Sequence, residues 1–299
     1  MSISWRGVWP AILTPFHADE SLDLAGYRRL IDFQLDAGVH GLVVLGTLGE
    51  NGSMEYSEKL EVLEAAVDCV AGRVPVVTSV AEGSTRMAVR FAADAAKLGA
   101  DGLMLLPTMI YKCDSRETMH HFRTVARSTA LPIMCYNNPI SYGVDITPPM
   151  FVELSDEKNL VAIKESSDDP RRVTDIINLC GSRYSLFCGV DDLILESMLL
   201  GSTGWVAGLV NAFPAESVKI WELATAGKWE EARAIYRWFM PMLHLDTHVK
   251  LVQYIKLAAS VTGACAEHLR SSRLPIAGAE REAVLKIIQD GVASRPKLS

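Results

Sequence analysis

Val161-Ala162-Ile163-Lys164-Glu165-Ser166 is a short apolar run that ends on a lysine. Three apolar residues in succession read as a strand covered on both faces, and the lysine marks where that strand leaves the core. Similar runs occur at 8–13, 41–45, 75–80, 102–106, 132–136, 185–188 and 204–206. Amphipathic stretches at 24–36, 57–70, 85–97, 115–128, 149–154, 171–179 and 192–200 separate them. Continuous apolar strands, each followed by a helix, make a parallel sheet covered by helices. Eight such units within about 210 residues fit a closed (β/α)8 TIM barrel, with a doubly wound open sheet as the alternative. The barrel is expected to span residues 1–214. Residues 217–226, 229–243, 249–261 and 280–290 read as helices of a C-terminal region, 215–299, packed on the barrel with no Gly-, Pro- or Ser-rich linker between.

The 299 residues are 49% hydrophobic and 22% charged, with a formal net charge of −7. That is an ordinary globular composition. Its acidic balance repels phosphate backbones and anionic membrane surfaces, so neither nucleic acid nor membrane is expected as a partner. No apolar run approaches the ~20 residues that span a bilayer. Residues 1–16 carry Arg6 and Pro10 in place of a signal-peptide core. Cys69, Cys113, Cys135, Cys180, Cys188 and Cys265 show no CxxC spacing, which reads as reduced thiols in a cytoplasmic protein. There is no HExxH, GxxxxGK[ST] or GxGxxG motif and no Ser/His/Asp order of a hydrolase. His120 and His121 lie on a polar helix pattern and read as solvent-facing. His244 and His248 have the spacing of a metal pair but not its helical context. Asp191-Asp192 reads as a helix N-cap in preference to a magnesium site. No metal site is read from these spacings.

Catalytic groups of a barrel come from the C-terminal ends of its strands. Those ends are Gly46-Thr47-Leu48-Gly49-Glu50, Tyr136-Asn137-Asn138-Pro139, Lys164-Glu165-Ser166-Ser167 and Gly189-Val190-Asp191-Asp192. Desolvation of Lys164 at the barrel mouth would favour its neutral amine, a nucleophile toward a ketone or imine. The alternative is a rim salt bridge to Glu165 or Asp191. The Tyr136 phenol, ending the neighbouring strand, can relay one proton without carrying charge into an apolar mouth, or can be a packing residue. The Gly46–Gly49 turn exposes backbone N–H groups that can cradle a carboxylate, with Thr47 adding a hydroxyl; otherwise it is an ordinary tight connection.

Together these residues resemble the dihydrodipicolinate synthase / N-acetylneuraminate lyase family of Schiff-base lyases over essentially the whole chain. Gly46-Thr47-Leu48-Gly49-Glu50 is similar to the family's G-[ST]-[ST]-G-E loop, Tyr136-Asn137-Asn138-Pro139 to its Y-N-x-P, and Ile163-Lys164-Glu165-Ser166 to its I-K-[DE]-[ST]. Residues 204–214 resemble its eighth-strand segment, which places Val206 at the substrate. The resemblance implies a TIM barrel with a helical C-terminal extension, a homotetramer built as a dimer of dimers, no cofactor, and an imine between Lys164 and a 2-oxo acid or its cyclic imine. Lys164, Tyr136 and Thr47 are then the catalytic set. Gly46, Thr47, Leu48, Asn138, Ser141 and Val206 are the substrate-binding set, with amides of Asn137 and Asn138 and hydroxyls of Ser141 and Ser167 around a small polar pocket.

The departures bear on the substrate. The synthases carry an arginine five residues after the tyrosine for a second carboxylate, and Ser141 stands there, which counts against dihydrodipicolinate synthesis. Leu48 replaces the second loop hydroxyl. Pro107-Thr108-Met109-Ile110-Tyr111-Lys112 resembles the lyase branch's tyrosine loop, without telling whose site Tyr111 serves. The segment 136–142, YNNPISY, is most similar to deaminases of 1-pyrroline-4-hydroxy-2-carboxylate from bacterial hydroxyproline breakdown. The expected activity is deamination and dehydration of that cyclic imine to 2,5-dioxopentanoate and ammonia. A dehydratase or aldolase of a 2-keto-3-deoxy sugar acid, such as 2-keto-3-deoxyarabonate, and a non-catalytic keto-acid binding protein are the alternatives.

Overall fold

The computed structural model describes residues 3–108 and 110–298. Eight parallel strands form the barrel: β1 (Gly7–Pro10), β2 (Leu42–Val44), β3 (Val76–Val80), β4 (Gly102–Leu105), β5 (Ile133–Asn137), β6 (Leu160–Glu165), β7 (Ser185–Cys188) and β8 (Gly204–Ala207). They are hydrogen-bonded in the order β1-β8-β7-β6-β5-β4-β3-β2. The last seam closes between β1 and β2 through a parallel bridge from Ala11 to Val43, with the Ile12 N–H donating to the Val43 carbonyl at 2.9 Å. The strands are almost wholly buried because helices cover the barrel outside and side chains fill it within.

The covering helices are α1 (Leu24–Asp36), α2 (Tyr56–Val70), α3 (Thr85–Lys97), α4 (Ser115–Arg127), α5 (Pro139–Tyr142), α6 (Pro148–Leu154), α7 (Arg171–Cys180) and α8 (Ile194–Leu199). Their starts follow local chemistry. Capping boxes at Glu55/Glu58 and Asp114/Glu117 satisfy the free amides of α2 and α4. Asn138 caps α5, and Pro139 supplies its preset first residue. The expected helix at 192–200 begins two residues later, because residues 191–193 form a single 3-10 turn.

Beyond the barrel lie α9 (Pro214–Thr225), α10 (Trp229–Leu243), α11 (Leu251–Val261) and α12 (Gly278–Ala293). Helix α9 packs on β1 and α10, and α12 packs on α10 and α11. Two buried polar devices tie the far end of the chain to the mouth of the barrel. Asn211, just after β8, accepts from the Leu13 N–H at 3.0 Å and donates to the Ala11 carbonyl at 2.9 Å. Lys256 of α11 is fully buried and donates to Glu50 at 2.6 Å and to the His268 carbonyl at 2.7 Å. Glu50 follows the β2 turn with a left-handed backbone (φ 56°). Among the described residues no helix is long and apolar enough to cross a membrane.

Candidate active site

Strand pairing brings the two central groups together. Tyr136 on β5 and Lys164 on β6 are register partners, and the lysine Nζ stands 4.1 Å from the centroid of the tyrosine ring. Alternate residues of a strand point to opposite faces, so Lys164 and Ser166 enter the mouth while Glu165 turns outward. The outward Glu165 accepts from Asn137 Nδ2 at 3.1 Å and from the Ser167 N–H at 2.8 Å, so it does not neutralise the lysine. Among the described residues no carboxylate lies within 4.0 Å of the Lys164 amine. Burial lowers the pKa of Lys164, opposed by attraction from Tyr142, Asp246, Asp191 and Cys188. Gly189, just past β7, makes room for it: a Cβ there would lie 2.0 Å from Ser166 Oγ and 2.7 Å from Lys164 Cε.

The Tyr136 hydroxyl accepts from Asn138 Nδ2 at 3.1 Å. Burial pushes the phenol up, against hydrogen bonding with Asn138, Ser166 and Tyr142. Thr47 does not pair directly with Tyr136. Its hydroxyl lies 2.7 Å from the Tyr142 hydroxyl, and the Tyr142 ring meets Tyr136 edge-on at 5.6 Å. Tyr142 thus stands between Thr47 and Tyr136, two members of the expected catalytic set. At the β2 turn, among the described residues, the N–H groups of Thr47 and Leu48 donate to no backbone carbonyl and remain available to an anion.

Lys164, Tyr136, Thr47, Leu48, Gly46, Asn138, Ser141 and Val206 all line one cavity of about 590 Å³. A mouth at the carboxyl ends of barrel strands, holding a desolvated lysine beside a phenol and an anion-ready turn, is the expected place and chemistry for imine formation. Comparison with known proteins gives the family. The model of the dihydrodipicolinate synthetase family matches residues 4–291.

The chain belongs to that family.

Its relatives include the 4-hydroxy-tetrahydrodipicolinate synthases of Methanothrix thermoacetophila, 35% identical over 94% of this chain and 95% of that protein, and of Geotalea uraniireducens, 31% identical over 96% and 98%. Among solved structures, YagE of E. coli K12, a prophage protein of the dihydrodipicolinic acid synthase family in complex with pyruvate, superposes with a TM-score of 0.91 at 27% identity, covering 97% of this chain and 99% of that one. The dihydrodipicolinate synthase of Aquifex aeolicus gives 0.91 at 28% identity, covering 95% and 97%. This family member is therefore an enzyme of the Schiff-base lyase class.

Several sequence readings of this family member need correction. Asn137 and Ser167 are not pocket groups. Asn137 is fully buried behind the mouth and ties Asp145, Ile146 and Glu165 together, and Ser166 takes the place given to Ser167. Asp191 does not cap its own turn. It accepts from Trp205 Nε1 at 3.1 Å and from the N–H groups of Gly208 and Leu209 at 3.1 and 2.8 Å, and burial pushes it up to about 6. His121 is buried, with Thr85 Oγ1 3.0 Å from Nδ1 and the Leu106 carbonyl 3.1 Å from Nε2, while His120 is exposed. His244 and His248, read as lacking the helical context of a metal pair, need no correction: one lies 2.7 Å from Asp192, the other stacks on Tyr254 at 4.7 Å. Among the described residues no group of three or more His, Cys, Asp or Glu is placed to hold a metal ion.

In its own chain Tyr111 is exposed, donates to Glu117 at 2.8 Å and lines a separate cavity, not that of Lys164; Met109 of the same loop lies outside the described residues. Tyr142 and Asp246, both lining the site, went unread because a short helix and an interhelical turn offer no periodicity to place a side chain.

Proposed function

We propose that the enzyme deaminates and dehydrates 1-pyrroline-4-hydroxy-2-carboxylate through an imine on Lys164. The observation that carries this reading is the desolvated Lys164 amine at the face of Tyr136 in a cavity that offers no arginine among its described lining residues. A substrate with one carboxylate suits that lining. The N–H groups of Thr47 and Leu48 hold the carboxylate. The neutral amine of Lys164 attacks C2 of the cyclic imine. The ring C2–N bond then breaks as the Tyr136 phenol gives its proton to the departing nitrogen, which stays on C5 as an amine and leaves Tyr136 as the phenolate. The protonated lysine imine draws electrons from C3, whose proton passes to the Tyr136 phenolate. The C3 electrons expel the C4 hydroxyl, which leaves as water with a proton returned by the phenol. Tyr142 and Thr47 extend the path by which Tyr136 is reset. Tautomerisation moves the new double bond to C5 as an imine, and hydrolysis at C2 and C5 frees Lys164, ammonia and 2,5-dioxopentanoate. The balance is one cyclic imine and one net water giving one keto-aldehyde acid and one ammonia. Positioned acid–base groups of this kind contribute on the order of 10²–10⁴ in rate.

The homotetramer implied by the resemblance and the cytoplasmic setting read from the unpaired cysteines belong to this proposal. Leu179 on α7 and Leu199 and Leu200 at the end of α8 are exposed apolar side chains that self-association could cover.

Borohydride with substrate traps a reduced adduct on Lys164, and Lys164→Ala abolishes adduct and turnover together. Ammonia is released in step with 2,5-dioxopentanoate. Full activity of the alanine variant would overturn the lysine chemistry. Turnover of linear sugar acids without ammonia, or with pyruvate as product, would replace the substrate with a 2-keto-3-deoxy sugar acid.

A further inference from the structure

Charge reaches the catalytic cavity from few side chains. Among the described residues Lys164 is the only lysine or arginine in its lining, and Asp168 and Asp246 supply carboxylates. Asp246 lies in the turn between α10 and α11, on the β8 side of the mouth, whereas Tyr136 rises from β5. Its carboxylate reaches the cavity because residue 208 is glycine: a Cβ there would fall 2.2 Å from Asp246 Oδ1 and 2.6 Å from Ile255 Cδ1.

The two acids beside the lysine are held differently. Asp191 takes hydrogen bonds from the Trp205 indole and two backbone amides, so its acceptor capacity is used within the fold. Among the described residues no donor reaches the Asp246 carboxyl; Asp191 and Asp192 repel it and Lys164 attracts it. A half-buried acceptor at the cavity wall, left without a donor from the protein, is open to a donor on the ligand. The same crowding of negative charge resists a second anion.

We propose that Asp246 is the specificity-determining residue for the end of the substrate remote from its 2-oxo acid head: it accepts a hydrogen bond from a hydroxyl or ammonium group there and turns away a second carboxylate. The inference rests on Lys164 capturing 2-oxo acids, as proposed above, but on no particular physiological substrate.

The test compares two five-carbon acids, 2-oxopentanoate and 2-oxoglutarate, which differ only in a methyl or a carboxylate at C5. Each is incubated with the full-length protein and borohydride, and the reduced Lys164 adduct is followed by mass spectrometry. The wild type traps 2-oxopentanoate at least about tenfold faster, the scale of repulsion between two like charges at close range in a partly buried site. In Asp246→Asn, and again in Asp246→Ser, the ratio of the two rates falls to within about threefold of unity, whatever the absolute rates. Misfolding alone would slow both acids and leave the ratio in place. Equal trapping of the two acids by the wild type overturns the proposal, as does a ratio unchanged in both variants. Failure to trap either acid removes the lysine chemistry and this selectivity with it, whereas absence of ammonia from the hydroxypyrroline substrate removes only the assigned reaction.

Discussion

Lys164 and Tyr136 show how much one residue can disclose. Each closes an apolar run, so each is bound to emerge where a barrel strand ends, and their neighbouring strands place them side by side. Tyr142 discloses nothing of this kind. It belongs to a four-residue helix begun by Asn138 and Pro139, too short for any period to assign it a face. Its hydroxyl lies 2.7 Å from that of Thr47, 95 positions away, which no local spacing announces. Removing that hydroxyl in Tyr142→Phe is expected to lower kcat by about 10²-fold, since the path that resets Tyr136 is cut, while the lysine adduct still forms. Rapid-quench measurement of adduct and product separates the two effects. A fall in adduct formation equal to the fall in kcat would give Tyr142 a packing role instead.

Among the elements, the strands were the most legible and the connections the least. Runs such as Leu42–Val44 and Gly102–Leu105 are apolar throughout because they are covered on both faces, a pattern no amphipathic helix imitates. The alternation of side chains along β6 was equally available in the sequence. With Lys164 pointing inward it sends Ser166 inward and Ser167 away, which the residue-type argument for Ser167 overlooked. What no strand pattern reveals is the gap left by its neighbour. Gly189 clears the space in which Lys164 and Ser166 lie, so Gly189→Ala puts a methyl where both side chains already are. Overpacking of this sort costs about 1–3 kcal/mol, and a displaced nucleophile of about 1 Å costs about 10²-fold in rate. The variant is expected to keep its circular-dichroism spectrum, melt a few degrees lower, and lose about 10²-fold in kcat/KM. Unchanged kinetics would mean that the lysine has room to spare.

Across the whole molecule, the barrel and the helices after it are joined by a buried ion pair. Lys256 and Glu50 lie 2.6 Å apart with no solvent exposure, and Glu50 also accepts from the Arg270 N–H at 3.3 Å. Neither partner signals this in sequence, since 206 positions separate them. Lys256→Met leaves the buried Glu50 carboxylate only the Arg270 N–H and the more distant Arg273 guanidinium at 3.6 Å, and is expected to cost about 3 kcal/mol in urea unfolding, with much of the loss recovered when Glu50→Leu is added. A single variant as stable as the wild type would show that water already reaches the pair. The clamp has a further bearing on attempts to recombine this protein. Glu50 directly follows the loop proposed to receive the substrate's acid group, so the footing of that loop comes from the C-terminal helices. A hybrid that borrows residues 251–299 from a homologue with another side chain at 256 would inherit a loosened anion pocket, and grafting succeeds only when both members of the pair travel together.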